Sequence, residues 1–193
     1  MKQNSLHRQL DQLKKKVLSC KACPLHEPRH LAVFGEGPYT SQVMIIGEGP
    51  GAKEDELGRP FVGRAGKLLD QMLEQQDLSR DKNVFIANIV KCRPPKNRVP
   101  HKKEIETCFP YLEQQIRLID PAILVLLGAT AMKSYWGRLN KKVSDIRGKW
   151  HEEAGRLVMP TFHPAAVFRN RNYQAYIEED IKTIAGKYRE GSR

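Results

Sequence analysis

Four short runs along the chain are apolar at nearly every position rather than at alternate ones. They are Val43-Met-Ile-Ile46, Val84-Phe-Ile-Ala-Asn-Ile-Val90, Ala122-Ile-Leu-Val-Leu-Leu127 and Leu157-Val-Met159. A strand with one wet face alternates, so continuous runs predict strands covered on both faces. Between them, Ala65–Gln75, Lys102–Ile119 and Ala129–Trp136 read as helices, and a final amphipathic helix is predicted over Tyr173–Tyr188. Pro110 should break or kink the second of these. Near the start, Leu6, Leu10, Leu13 and Val17 form one helical stripe, with Lys14, Lys15 and Lys16 off it as a solvated face. The alternation of strand and helix predicts an α/β fold, a three-layer α/β/α sandwich around a mainly parallel sheet. No repeat, low-complexity tract or dividing linker interrupts it. Residues 1–193 therefore read as a single domain with an N-terminal helix and a cysteine-bearing region.

Charge adds a partner to this picture. Lys plus Arg number 33 against 22 for Asp plus Glu, a net charge of +11, which favours a polyanion such as nucleic acid over a neutral ligand. The hydrophobic fraction of 40% is enough for a buried core and excludes a disordered chain. The longest apolar run, Ala122 to Ala129, is far short of a membrane span, and the first twenty residues lack a secretory apolar stretch. The expectation is a cytoplasmic protein without membrane contact, and nothing in the sequence requires more than a monomer.

The four cysteines suggest bound metal. Cys20-Lys-Ala-Cys23 is a C-x-x-C turn that can place two thiolates on one group, and Cys92 and Cys108 complete a set of four with none to spare. Zinc and an iron–sulfur cluster both accept that set. Two buried apolar cysteines plus an accidental pair is the plainer alternative. A thioredoxin-like site is disfavoured because the C-x-x-C turn does not follow a strand.

Ligands of open α/β sheets bind beyond the carboxyl ends of the strands. Here the first run leads into Gly47-Glu-Gly-Pro-Gly51, the second carries Asn88 and leads into Lys91-Cys-Arg-Pro-Pro-Lys-Asn-Arg98, and the last leads into Thr161-Phe-His-Pro164. An acid, an amide and an imidazole thus converge from distant parts of the chain. The glycines, Gly49 among them, permit close backbone approach to a ligand. The segment is neither a Walker A loop nor a dinucleotide fingerprint. Gly63-Arg-Ala-Gly-Lys67 resembles half of the former, but Leu68 stands where Ser or Thr is needed.

Together these motifs resemble those of the family-four, iron–sulfur uracil-DNA glycosylases. The matching stretches are Gly47–Gly51, Gly58-Arg-Pro-Phe-Val-Gly-Arg-Ala-Gly-Lys-Leu-Leu69, Asn88-Ile-Val-Lys-Cys-Arg-Pro-Pro95, Thr161-Phe-His-Pro-Ala-Ala166 and the four cysteines. The resemblance runs from Cys20 to about Asn170. It implies a [4Fe–4S] cluster held by Cys20, Cys23, Cys92 and Cys108, with zinc as the second choice, and uracil-containing DNA as substrate. It also implies Phe61 as the residue that stacks on the base and His163 as the catalytic histidine. The better-known uracil glycosylases carry Asp at the position of Gly49 and a thymine-excluding Tyr at that of Gly51, and this chain has neither.

The residue chemistry agrees. Uracil must leave the stack to be reached, and a flipped pyrimidine needs a flat apolar partner such as Phe61. The Asn88 amide carries both a donor and an acceptor, matching uracil O4 and N3–H where cytosine shows the reverse pattern. An imidazole N–H from His163 can stabilise the negative charge that bond cleavage leaves on uracil O2. Glu48 can orient the attacking water or stabilise the developing sugar cation. Gly49, Phe61, Asn88 and His163 are thus the candidate substrate contacts, with Glu48, Asn88 and His163 catalytic. Taken singly, each has a plainer alternative: core packing for Phe61, backbone bonding for Asn88, a structural turn for His163. Glu54 reads as a solvated acid in Lys53-Glu-Asp-Glu56 rather than a thymine block. Arg93, Lys96, Asn97, Arg98 and Arg169 are candidate DNA contacts. Val167 and Phe168 could fill the gap left by the flipped base.

Two other readings remain. A cysteine-metal module that binds DNA without cleaving it accounts for charge and cysteines but not for Glu48, Phe61, Asn88 and His163 as a set. A relative that traps the sugar covalently through a histidine would need an insertion near Ser144-Asp-Ile-Arg-Gly148, which the chain lacks.

Overall fold

A computed structural model describes residues 2–137 and 141–191. Its sheet has five strands: β1 (Val43–Gly47), β2 (Val84–Asn88), β3 (Ile123–Leu127), β4 (His151–Glu153) and β5 (Arg156–Thr161). The spatial order is β2-β1-β3-β5-β4, with β1, β2, β3 and β5 parallel and β4 antiparallel on the edge. Among the described residues the helices are α1 (Lys2–Leu18), α2 (Ala52–Leu57), α3 (Arg64–Glu74), α4 (Lys102–Ile119), α5 (Gly128–Trp136), α6 (Val143–Ile146) and α7 (Asn172–Gly191). None is long and apolar enough to cross a membrane.

The unbroken apolar runs have a simple cause. Along each strand, alternate side chains enter two separate cores. Met44, Ile46, Phe85, Ala87, Leu124 and Leu126 meet the stripe Leu10, Leu13 and Val17 of α1 and Leu112, Ile116 and Ile119 of α4. Val43, Ile45, Val84, Ile86, Ile123 and Val125 meet Leu69, Met72 and Leu73 of α3 and Ile177, Ile181 and Ile184 of α7. Helices on both faces of a mainly parallel sheet make the expected α/β/α sandwich. Lys14, Lys15 and Lys16 are exposed on the far side of α1.

Pro110 neither breaks α4 nor ends it. Proline removes one helical N–H, and both Pro110 and Glu106, whose carbonyl loses that donor, are exposed and open to water. The second apolar run also stops being strand at Asn88, two residues before the run itself ends.

From β1 the chain moves outward to β2, then crosses back over β1 to β3. That reversal opens a crevice beyond the strand ends, where such sheets bind ligands.

Candidate active site and cysteine pocket

The crevice holds a cavity of about 570 Å³, lined at its base by Glu48, Gly49, Phe61, Asn88, Thr130 and His163. Glu48 and Gly49 follow β1, Asn88 ends β2, Thr130 and His163 lie just past β3 and β5, and Phe61 sits between α2 and α3. Residues predicted from four separate stretches of sequence are thus brought together.

Asn88 closes β2 and is 2% exposed. Its Oδ1 is buried and has no hydrogen-bond partner. An unsatisfied buried acceptor costs about 1–3 kcal/mol, so this oxygen marks a place where a donor is wanted. Gly47 makes the arrangement possible: a Cβ there would lie 2.5 Å from both Asn88 Oδ1 and the Phe61 ring.

Phe61 sits in the left-handed region at φ +51° and is almost fully buried. A side chain bearing a Cβ is strained there by about 1–3 kcal/mol, so other contacts must hold it. They come from both sides. Arg80, itself 7% exposed, donates to the carbonyls of Pro60 (2.6 Å) and Phe61 (2.8 Å) and is gripped by Asp70. Glu54 Oε1 accepts the N–H groups of Val62 (2.9 Å) and Gly63 (2.7 Å). The expected solvated role of Glu54 is therefore corrected. It is partly buried, and its two backbone donors belong to the Phe61 loop and the start of α3. Its Oε2 also takes up the space that a side chain at Gly51 would enter. Gly66 lets the Phe61 carbonyl approach, because a Cβ there would lie 1.9 Å from its oxygen.

The His163 ring lies 5.5 Å from the Phe61 ring. Its Nδ1 accepts the Ala165 N–H at 3.1 Å, which leaves the proton of the neutral ring on Nε2. Burial pulls its pKa down to about 4, only partly offset by the Glu54 charge, so the ring is neutral at physiological pH. Just upstream, the Thr161 hydroxyl donates to buried Asp180, which Arg147 also grips. Glu48 accepts the Thr130 hydroxyl, fixing the carboxylate from the first turn of α5.

The basic candidates are spread along the rim. Lys96 and Arg169 are exposed, and Arg93 Nε donates to Asn97 Oδ1. Arg98 lines the cavity, but both its terminal nitrogens reach Glu104 at 2.6 and 2.8 Å. Val167 packs into the core, whereas Phe168 is exposed with the Arg64 guanidinium 4.1 Å above its ring.

Comparison with known proteins decides which chemistry this arrangement serves. The profile of the uracil DNA glycosylase superfamily matches residues 34–184. A type-4 uracil-DNA glycosylase of Sulfurisphaera tokodaii is 47% identical over 91% of this chain and 83% of its own length. The type-4 enzyme of Thermotoga maritima is 42% identical over 86% of this chain and 88% of its own. The chain belongs to the uracil-DNA glycosylase superfamily. A type-5 uracil-DNA glycosylase of Pyrobaculum aerophilum is more distant, at 29% identity over 67% of this chain.

This glycosylase-family chain has a second cavity, on the α1–α4 side of the sheet. Cys20, Cys23, Cys92 and Cys108 all line it, and all four thiols are free. Arg29 donates to Cys92 Sγ at 2.8 Å, and the Lys91 backbone N–H to Cys108 Sγ at 3.2 Å. Burial pushes the Cys108 thiol up to about 11, against the opposing pull of Lys91. Among the described residues no group of three His, Cys, Asp or Glu side chains is arranged to hold a single metal ion. Four convergent thiols, two of them receiving N–H donors, are the donor set that a cluster takes, so the residues fit that group.

Three side chains that bond the cavity-lining residues escaped the sequence reading: Thr130, Arg80 and Lys91. Thr130 was signalled by its position just past a strand, since the same strand-end rule applies to Gly128-Ala-Thr130. Arg80 and Lys91 carried no local signal, because a lone basic residue in a loop reads as solvated.

Proposed function

We propose that this chain is a monofunctional uracil-DNA glycosylase that hydrolyses the bond between uracil and deoxyribose, leaving free uracil and an abasic site in DNA. One observation carries the assignment of uracil as the base. The buried Asn88 Oδ1 lacks a donor, and the N3–H of a flipped uracil is a donor of the right kind. The Asn88 amide N–H₂ then serves uracil O4. Cytosine offers an acceptor at N3 and a donor at N4, so it would leave both buried groups mismatched.

In this reading Phe61 stacks on the pyrimidine, held in its strained conformation by Arg80 and Glu54. Gly49 adds backbone close to the base. As the C1′–N1 bond breaks, its electron pair passes to uracil and gathers on O2. Neutral His163 donates from Nε2 to that oxygen, a donor that needs no prior protonation. Glu48, fixed by Thr130, faces the sugar and orients the water that adds at C1′. The water's proton leaves to solvent through that carboxylate.

Cys20, Cys23, Cys92 and Cys108 would hold a [4Fe–4S] cluster, with zinc as the alternative. When bound, the group supplies a structural tie between the end of α1, the loop after β2 and α4. Arg93, Lys96 and Arg169 contact DNA phosphates, and Arg98 stiffens the same rim through Glu104. The protein acts as a cytoplasmic monomer.

The test is base release from oligonucleotides carrying uracil, hypoxanthine or mismatched thymine. Free uracil, with no DNA–protein adduct on a denaturing gel, is expected. DNA binding without release would favour the non-enzymatic module, and a shifted band the covalently trapping relative.

A further inference from the structure

We propose that Lys91 is a positioning residue that ties the base-reading end of β2 to the cysteine pocket. This rests on the reading of Asn88 as the uracil-reading residue. Lys91 is 1% exposed, although it opens a stretch with four basic residues in eight, Lys91 to Arg98. Its ammonium donates to the Asn88 carbonyl at 2.8 Å and to Gln115 Oε1 at 2.6 Å. Gln115, in the C-terminal third of α4 and fully buried, donates onward to the Phe34 carbonyl at 2.8 Å. Through its backbone, the same lysine donates to Cys108 Sγ, and the next residue is Cys92. One residue therefore touches the backbone of the base reader, the helix that carries one thiol and that thiol itself.

The ammonium's two partners are neutral oxygens. A buried cation without an anionic partner is costly, so a function that could be met by an apolar side chain would not retain it. Lys91 lines the same pocket as the four cysteines. With a metal group bound there, four thiolates would leave a net negative site beside Lys91 and Arg29. Charge attraction would then hold the ammonium in place, and the ammonium holds the Asn88 carbonyl. The strand end is thereby fixed at the residue whose amide must meet uracil to within a fraction of an ångström.

The test is a double-mutant cycle on the metal-loaded protein with Lys91→Met, similar in length but uncharged, and Asn88→Ala. Three quantities are read: kcat/KM for uracil release, inhibition by free uracil, and the rate of metal release to a chelator. Lys91→Met should lower kcat/KM by roughly 10–100-fold in the wild-type background, the scale of a misplaced contact. In the Asn88→Ala background it should cost less than about threefold, because the group it positions is gone. Free uracil should inhibit Lys91→Met more weakly, and metal should leave it faster. Equal losses in both backgrounds, wild-type kcat/KM, or unchanged metal release would each overturn the proposal. If Asn88→Ala itself keeps wild-type activity, the reading of Asn88 fails and the proposal with it. A loss in Asn88→Ala without one in Lys91→Met sinks the proposal alone. Should Lys91→Met fail to fold, Gln115→Met removes one acceptor of the ammonium and should give a smaller loss with the same non-additivity. An additive loss there would overturn it equally.

Discussion

The base cavity and the cysteine pocket are only a few residues apart in sequence, at Asn88 and Cys92, yet they are built in opposite ways. The cavity is open and lined by both polar and apolar groups, and its buried Asn88 acceptor is left unpartnered. Its Phe61 is held in a strained conformation by hydrogen bonds to the loop from both sides. The cysteine pocket is lined by α1, α4 and the loops after α1 and β2, Cys92 and Cys108 are buried, and both receive N–H donors. The first arrangement suits a ligand that must enter and leave. The second suits one that stays. Unsatisfied groups mark exchange, and satisfied ones mark retention.

The comparison can be broken at several points, and the largest effects belong to the exchange site. His163→Ala should lower single-turnover uracil release by roughly 10²–10³-fold, the usual loss on removing one oxyanion donor, without changing the visible spectrum or metal content. An equal loss of metal would mean the two sites are not separable. The retention site should show the reverse. Cys108→Ala should lose bound metal and lower Tm by roughly 10 °C, at about 2–4 °C per kcal/mol for a chain of this size. A chain that keeps its metal would remove Cys108 from the ligand set.

Arg80→Met should release the Phe61 loop, weakening free-uracil inhibition roughly tenfold with little change in DNA affinity. If DNA affinity falls and uracil inhibition does not, Arg80 serves the rim and not the ring. Acid provides a finer probe. The folded-state pKa of His163, about 4, lies below its ordinary value of 6.5, so unfolding takes up a proton between those values. The stabilisation is complete above pH 6.5 and is lost as pH falls toward 4. Denaturant titrations of wild type and His163→Gln should show the wild type losing its relative advantage across that window, and parallel curves would contradict the neutral buried ring. The smallest effect concerns the rim. Replacing Arg93, Lys96 or Arg169 by Ala should reduce the salt dependence of DNA binding by about one unit of slope each, whatever the base. Arg98→Ala, with its charge held by Glu104, should change that slope less.

The fold was readable because its signals are local and strong. Strands buried on both faces must be continuously apolar, and α4 runs over the predicted Lys102–Ile119 despite Pro110. The missed elements lack such signals. The Ala-Lys-Glu-Asp-Glu-Leu of α2 and the His-Glu-Glu of β4 are short, charged and largely exposed. At the cavity, the convergence of Asn88 and His163 was legible because both stand at strand ends on the crevice side of the sheet. Residues whose role lies in a distant partner were not. Arg80 reaches Phe61 across 19 positions and Lys91 reaches Gln115 across 24, and no local pattern marks either. Arg98 shows the same limit from the other side, since its charge is taken up by Glu104, which the sequence does not reveal.

Single-turnover release of free uracil by wild type and Asn88→Ala, both with intact bound metal, tests the central claim most directly. Release by wild type and its near-complete loss in Asn88→Ala are predicted. Wild-type release by Asn88→Ala, or no release by the intact protein, would contradict the account.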